Sequence, residues 1–77
     1  MRITGTRYTI DKKPPVLELR YQGRVVSKFE YVGKTLNDVS EEIWADLKRK
    51  GTTILKGALK DELSTLFPGI RVTGPLK

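Results

Sequence analysis

The sequence of 77 residues contains neither cysteine nor histidine. Without cysteine it has no disulfide, thiolate metal site or cysteine nucleophile, and without histidine it lacks the commonest general base and metal ligand. Its serines lie in no recognisable catalytic motif. Gly33-Lys34-Thr35 is similar to the end of a phosphate-binding loop, but Lys28 occupies the position where that motif requires its first glycine. We therefore expect a protein that is not an enzyme and holds no cofactor or metal ion.

Long hydrophobic runs are also absent. The N-terminal stretch has no apolar segment of about 7 residues, as a signal peptide requires, and nowhere is there a run of about 18 residues that would span a membrane. We expect a cytoplasmic protein with no membrane contact, for which the lack of cysteine is also typical. No repeat or linker divides the chain, so residues 1–77 are predicted to form a single domain.

Positive charge exceeds negative charge. Fifteen Lys and Arg residues stand against nine Asp and Glu residues, giving a net charge of +6. The excess is uneven, because residues 35–47 carry four acidic and no basic side chains while both flanking segments are basic. A basic chain attracts polyanions, so nucleic acid is a candidate partner.

The clearest predicted element is a helix over residues 36–50. Its apolar residues recur at spacings of three and four, as expected for one helical face, with Trp44 alongside: Leu36, Val39, Ile43 and Leu47. Thr35 is placed to cap the first turn, with Asp38 as the acid of a capping box. Gly51 is placed to end the helix in the left-handed conformation.

Three strands are predicted before this helix, at residues 3–10, 16–21 and 25–32. A bulge at Gly5 would bring Ile3 onto the same face as Tyr8 and Ile10. The inner face of the sheet, beneath the helix, is predicted to carry Leu17, Leu19, Tyr21, Val25, Phe29 and Tyr31.

The register of the second and third strands follows from these apolar residues. A two-residue loop at Gln22-Gly23 would turn one apolar set toward solvent, so we predict a longer connection or a bulge. In that register Tyr21 lies opposite Val25, and Glu18 lies opposite Lys28 on the outer face.

After Gly51, a second helix is predicted over residues 54–67, capped by Thr52 or Thr53, and then a short strand over residues 70–73. The predicted fold class is therefore α+β, with a three-stranded antiparallel sheet packed on the first helix.

The favoured function is that of a nucleic-acid-binding accessory protein. Four basic residues are predicted to contact phosphates from the exposed sheet face: Arg7, Arg20, Arg24 and Lys28. The passage from Val16 to Gly51, a hairpin followed by a helix, is similar in its order of elements to the DNA-binding modules at the N-termini of tyrosine recombinases. A helix-turn-helix over residues 36–67 is disfavoured, because its second helix lacks side chains suited to reading base edges.

A protein-binding module is the alternative. An edge strand or the apolar second helix would occupy a partner's surface, and the same features allow a homo-oligomer.

Overall fold

A computed structural model describes residues 1–69 and 74–76. Its elements in chain order are β1 (Tyr8–Lys13), β2 (Val16–Tyr21), β3 (Arg24–Glu30), α1 (Leu36–Arg49) and α2 (Lys56–Ser64). The strands form one antiparallel sheet in the order β1-β2-β3. α1 packs on the sheet and on α2. The predicted α+β class is confirmed, while the strand predicted at residues 70–73 lies outside the described residues.

The helix α1 begins at Leu36 as predicted and ends at Arg49, one residue before the predicted end. The Thr35 hydroxyl accepts a hydrogen bond from the Asp38 backbone N–H at 3.1 Å, and the Asp38 carboxylate accepts one from the Thr35 N–H at 3.5 Å. These two bonds form a capping box and satisfy donors that the first turn leaves free. Gly51 follows the helix at a φ of +86°, which is why a glycine suits this position.

The buried core lies between α1, α2 and the inner face of the sheet. It consists of Ile3, Ile10, Leu17, Leu19, Tyr31, Leu36, Val39, Ile43, Leu47, Leu59, Leu63, Phe67 and Leu76. Trp44 is only half-buried and lies at the junction of α1 and α2. Its indole Nε1 donates to the Ile54 carbonyl at 2.7 Å, and the ammonium groups of Lys48 and Lys56 lie over its ring.

The connection between β2 and β3 differs from the prediction. Gln22 and Gly23 form a two-residue turn with φ values of 51° and 83°, as a type I′ turn requires, so Tyr21 lies opposite Arg24. The predicted pairing of Tyr21 with Val25 is wrong. A shift in register then leaves Val26 without a partner on β2, and this predicted bulge restores Glu18 to its place opposite Lys28. Val25 lies opposite Arg20 and is 41% exposed, so its predicted inner position is also wrong.

The N-terminus folds back along β1. The Ile3 N–H donates to the Tyr8 carbonyl at 3.0 Å, and the Ile10 N–H donates to the Met1 carbonyl at 2.7 Å. The intervening turn, residues 4–7, includes Gly5 at a φ of +80°. The first strand therefore begins at Tyr8 rather than at residue 3, and a reversal of the chain replaces the predicted bulge. Ile3 is still buried beside Ile10.

The helix α2 is shorter than predicted. Leu55 is its N-cap and makes no capping hydrogen bond through its side chain, so the predicted caps Thr52 and Thr53 are wrong. Glu62 ties this helix to the N-terminal turn, because its carboxylate oxygens accept from the Thr4 N–H at 3.0 and 3.2 Å. Neither of the two helices in the described ranges is long and apolar enough to cross a membrane.

Candidate nucleic-acid interface

A cleft opens where the inner face of the sheet extends past the C-terminal end of α1. Its volume is about 540 Å³, and its lining consists of Arg2, Gly5, Thr6, Arg7, Tyr8, Tyr21, Lys50 and Thr52. Ligand pockets in proteins commonly measure roughly 300 to 1,000 Å³. Three of these lining residues are cationic and none is acidic. We call this site the basic cleft.

Two tyrosines line the cleft from neighbouring strands. Tyr8 of β1 lies directly opposite Tyr21 of β2, and residues opposite each other in an antiparallel pair project from the same face. Their ring centroids are 4.9 Å apart and the rings are tilted by 40°. Both side chains are half-buried. Tyr21 was predicted to lie beneath α1, but it lies beyond the end of that helix, so its ring is available to a ligand.

The N-terminal turn supplies two of the cations. The Arg2 guanidinium Nε donates to the Thr6 carbonyl at 3.1 Å, and the Thr6 hydroxyl both donates to the Ile3 carbonyl and accepts from the Tyr8 N–H. These bonds hold the turn that carries Arg7 into the cleft. Among the described residues, neither Arg2 nor Arg7 forms an ion pair with a carboxylate.

The third cation, Lys50, is held by a buried carboxylate. Its Nζ lies 2.6 Å from Asp46 Oδ2 and 3.0 Å from the Ser27 hydroxyl, which itself donates to Asp46 at 2.8 Å. Arg49 bonds the other carboxylate oxygen at 2.7 Å. Asp46 is 5% exposed.

The protonation of Asp46 follows from two opposing effects. Burial raises the pKa of the Asp46 carboxyl, but hydrogen bonds from Lys50, Ser27 and Arg49 outweigh burial and hold that pKa below its ordinary value. The carboxylate therefore stays ionised at neutral pH and fixes the Lys50 ammonium group at the wall of the cleft.

The four residues predicted to bind phosphate do not form one cluster. Arg7 lines the cleft, and Arg24 is exposed beside it, directly opposite Tyr21. Arg20 and Lys28 project from the outer face, the side of the sheet away from α1. The predicted joining of Arg7 to that face is not observed.

The outer face is close to electrically neutral. Lys13, Arg20 and Lys28 share it with Asp11, Glu18 and Glu30. The Arg20 guanidinium donates to Glu18 Oε1 at 2.8 Å and lies 3.5 Å from Asp11, and the bond to Glu18 raises the pKa of Arg20. Arg20 is therefore already paired with carboxylates, which weakens its attraction for a phosphate.

Four lining residues of the cleft are not among the predicted site residues: Arg2, Tyr8, Tyr21 and Lys50. The two tyrosines had a signal, since a register with Tyr8 opposite Tyr21 places both rings at one end of the sheet. Arg2 and Lys50 had none, because the reversal of the N-terminus and the end of α1 bring them together only in the fold.

The described ranges contain no group of three acidic side chains arranged to hold a metal ion. Comparison of the chain with protein families, with curated protein sequences and with solved structures finds no match.

Proposed function

We propose that the protein is a non-enzymatic accessory protein that binds single-stranded nucleic acid in the basic cleft. The observation that carries the proposal is the pair of tyrosine rings 4.9 Å apart in a cleft whose lining is cationic and contains no carboxylate. Proteins that bind single strands combine these two features, since bases stack on aromatic rings while cations follow the phosphates.

A single strand fits this site better than a duplex. The two partly exposed tyrosine rings offer a stacking surface, and the bases of a single strand are free to stack on it, whereas the bases of a duplex are already stacked on one another. Arg2, Arg7 and Lys50 surround the rings. Arg24, at the hairpin, adds an exposed cation beside Tyr21. We therefore place the base on the tyrosines and the adjoining phosphates on Arg2, Arg7 and Arg24, which form no ion pair with a described carboxylate, whereas Lys50 is already paired with Asp46.

The salt dependence of binding is the first test. Each phosphate contact to a single strand contributes about −0.7 to the slope of log affinity against log salt, so three contacts give about −2. Fluorescence anisotropy with a labelled single-stranded oligonucleotide should then show affinity falling about twentyfold between about 50 and 200 mM salt. Arg7→Gln should reduce the magnitude of the slope by about 0.7, while Lys13→Gln on the exposed end of β1 should leave it unchanged.

The tyrosines give the second test. Base stacking on an aromatic ring contributes about 1 to 3 kcal/mol, so Tyr21→Leu should weaken binding about fivefold or more at constant salt. The double variant Arg20→Ala with Lys28→Ala tests the outer face, and we expect little change. If that double variant abolishes binding while Arg7→Gln and Tyr21→Leu do not, nucleic acid binds the outer face and the cleft is not the site. No anisotropy change with single strands, duplex DNA or RNA at low salt contradicts the proposed function.

A protein-binding role is the second candidate, and exposed apolar side chains favour it. Val25 and Val26 on β3 are 41% and 40% exposed, and Leu55 before α2 is 79% exposed. Recovery of one stoichiometric protein partner in a pull-down that nuclease does not affect would favour this role over nucleic-acid binding.

A further inference from the structure

Within residues 1–69 and 74–76, the strand β3 forms an edge of the sheet. β2 pairs with one side of it, and no named strand of the described ranges pairs with the other side. Such edges attract further strands, and natural proteins commonly guard them with a bulge or a lysine. β3 has a bulge at Val26 and a lysine at Lys28. Glu30 lies two residues beyond Lys28 on the same face. The edge therefore presents one positive and one negative side chain to any strand that pairs with it.

We propose that β3 pairs antiparallel with β3 of a second copy of this chain, in the register that sets Phe29 opposite Phe29. The pairing extends the sheet across a twofold axis. It is independent of the basic cleft and of the proposed nucleic-acid binding.

Charge selects this register among the neighbouring ones. Lys28 and Glu30 project from the outer face, opposite Glu18 and Val16 of β2, while Phe29 projects from the inner face opposite Leu17. A twofold axis through Lys28 would place two lysines directly opposite each other, and an axis through Glu30 would place two glutamates opposite each other. The axis through Phe29 places Lys28 of each copy opposite Glu30 of the other.

Opposite charges at directly paired positions stabilise antiparallel strands by about 0.2 to 1 kcal/mol each, whereas like charges destabilise them. The register centred on Phe29 contains two such favourable pairs because the axis repeats them. The lysine that would guard the edge against other strands is thus neutralised by a second copy of the same strand. Half-buried Phe29, which packs against the core, also meets its own copy on the inner face.

The paired segment is short. The bulge at Val26 limits it on one side, and on the other Val32 already forms a bridge with Leu76. The ladder therefore covers residues 27–31, which is less than a stable dimer interface of standard size requires. The dimer is consequently weak and forms at high protein concentration.

Charge exchange tests the register. Sedimentation velocity of the wild-type chain without nucleic acid, up to on the order of 1 mM, should show a monomer–dimer equilibrium. Lys28→Glu and Glu30→Lys should each raise the dimer dissociation constant at least about tenfold, because each creates two like-charge pairs. The double variant restores both pairs with reversed signs, and its dissociation constant should return to within about threefold of the wild-type value. Lys13→Glu on β1 makes the same charge change away from β3 and should have no effect.

Folding is checked separately by circular dichroism. Lys28→Glu also removes the charge pair between Lys28 and Glu18 within one chain. Glu30→Lys breaks no such pair, because residue 30 lies opposite Val16. Restoration by the double variant supports the proposal, since it retains the intrachain cost of Lys28→Glu. A wild-type chain that remains monomeric at the highest concentration overturns the proposal. A dimer that folded Glu30→Lys does not weaken, or that the double variant does not restore, overturns it equally.

Discussion

Replacing Asp46 by asparagine should destabilise the protein by about 2 kcal/mol at neutral pH. Asp46 projects from α1 toward β3, and its carboxylate accepts hydrogen bonds from Lys50, Arg49 and Ser27 at 2.6 to 2.8 Å. Asparagine keeps the size of the side chain and can still accept from Ser27. It removes the negative charge that holds two cations.

The magnitude follows from the exposure of those cations. A hydrogen bond that involves a charged group contributes about 1.5 to 3 kcal/mol, whereas an exposed ion pair contributes about 0 to 1 kcal/mol. The Arg49 side chain is 77% exposed, so its interaction with Asp46 counts as an exposed ion pair. The Lys50 side chain is only 28% exposed, so its contribution is closer to that of a hydrogen bond to a charged group. A loss of about 2 kcal/mol lowers the melting temperature of so small a domain by about 8 to 16 °C.

The pH dependence supplies an independent check. The pKa of Asp46 in the folded protein is below its ordinary value of about 3.9, which applies to the unfolded chain. Its contribution is therefore fully present above about pH 5 and is lost as the pH falls through the folded-state pKa. The difference in unfolding free energy between wild type and Asp46→Asn should shrink steadily as the pH falls toward about 2.

Urea unfolding followed by the fluorescence of Trp44, the single tryptophan, measures these free energies. Asp61→Asn is the matched control, because Asp61 is exposed on α2 and forms no ion pair with another described residue. Equal stability of Asp46→Asn and wild type at neutral pH would refute the reasoning. A difference that persists unchanged to the lowest pH would show that the lost contribution does not come from the ionised carboxylate.

Two further substitutions test the ends of the helices. Trp44→Phe keeps a ring but loses the bond from the indole to the Ile54 carbonyl, so it should lower the unfolding free energy by about 1 kcal/mol. Because this variant lacks the single tryptophan, urea denaturation is followed here by circular dichroism. Thr35→Ala removes the cap that bonds the Asp38 N–H and should cost about 1 kcal/mol by the same measurement, whereas Thr53→Ala, at an exposed position that caps nothing, should cost almost nothing. Equal effects at the two threonines would contradict the assigned cap.

The parts of the fold that sequence predicted well are those that short-range chemistry determines. The capping box at Thr35 and Asp38, the apolar spacing of α1 and the glycine at position 51 each act within a few residues. The structure confirms all three. The helix α2 was predicted too long because its apolar residues continue past its end, and Phe67 is buried from a turn rather than from a helix.

The hairpin shows how two correct rules can lead to one wrong register. Gln22-Gly23 satisfies the turn chemistry of a two-residue loop, while the apolar alternation of the strands excludes an uninterrupted ladder with that loop. The chain satisfies both rules by forming the tight turn and then a bulge at Val26. Sequence alone offered the bulge as one alternative but could not locate it, because no residue near Val26 requires a special backbone conformation.

The basic cleft was less predictable because its cations depend on contacts between distant parts of the chain. Arg2 reaches it through the reversal at Gly5, and Lys50 reaches it because Asp46 bonds Ser27 across the helix and strand. Periodicity placed Tyr21 on the inner face correctly. It could not show that α1 ends before covering that ring.

The unequal distribution of charge along the chain becomes a spatial separation in the fold. The acidic side chains of the first half of α1, Asp38, Glu41 and Glu42, precede Lys50 by eight to twelve residues, or about 12 to 18 Å along the helix axis. This exceeds the screening length of about 8 Å at physiological ionic strength. Glu41 and Glu42 are in addition paired with Lys56 and Lys34. These three carboxylates therefore oppose the field of Arg2 and Arg7 only weakly, whereas the fourth acidic residue of the segment, Asp46, lies against Lys50 and offsets its charge.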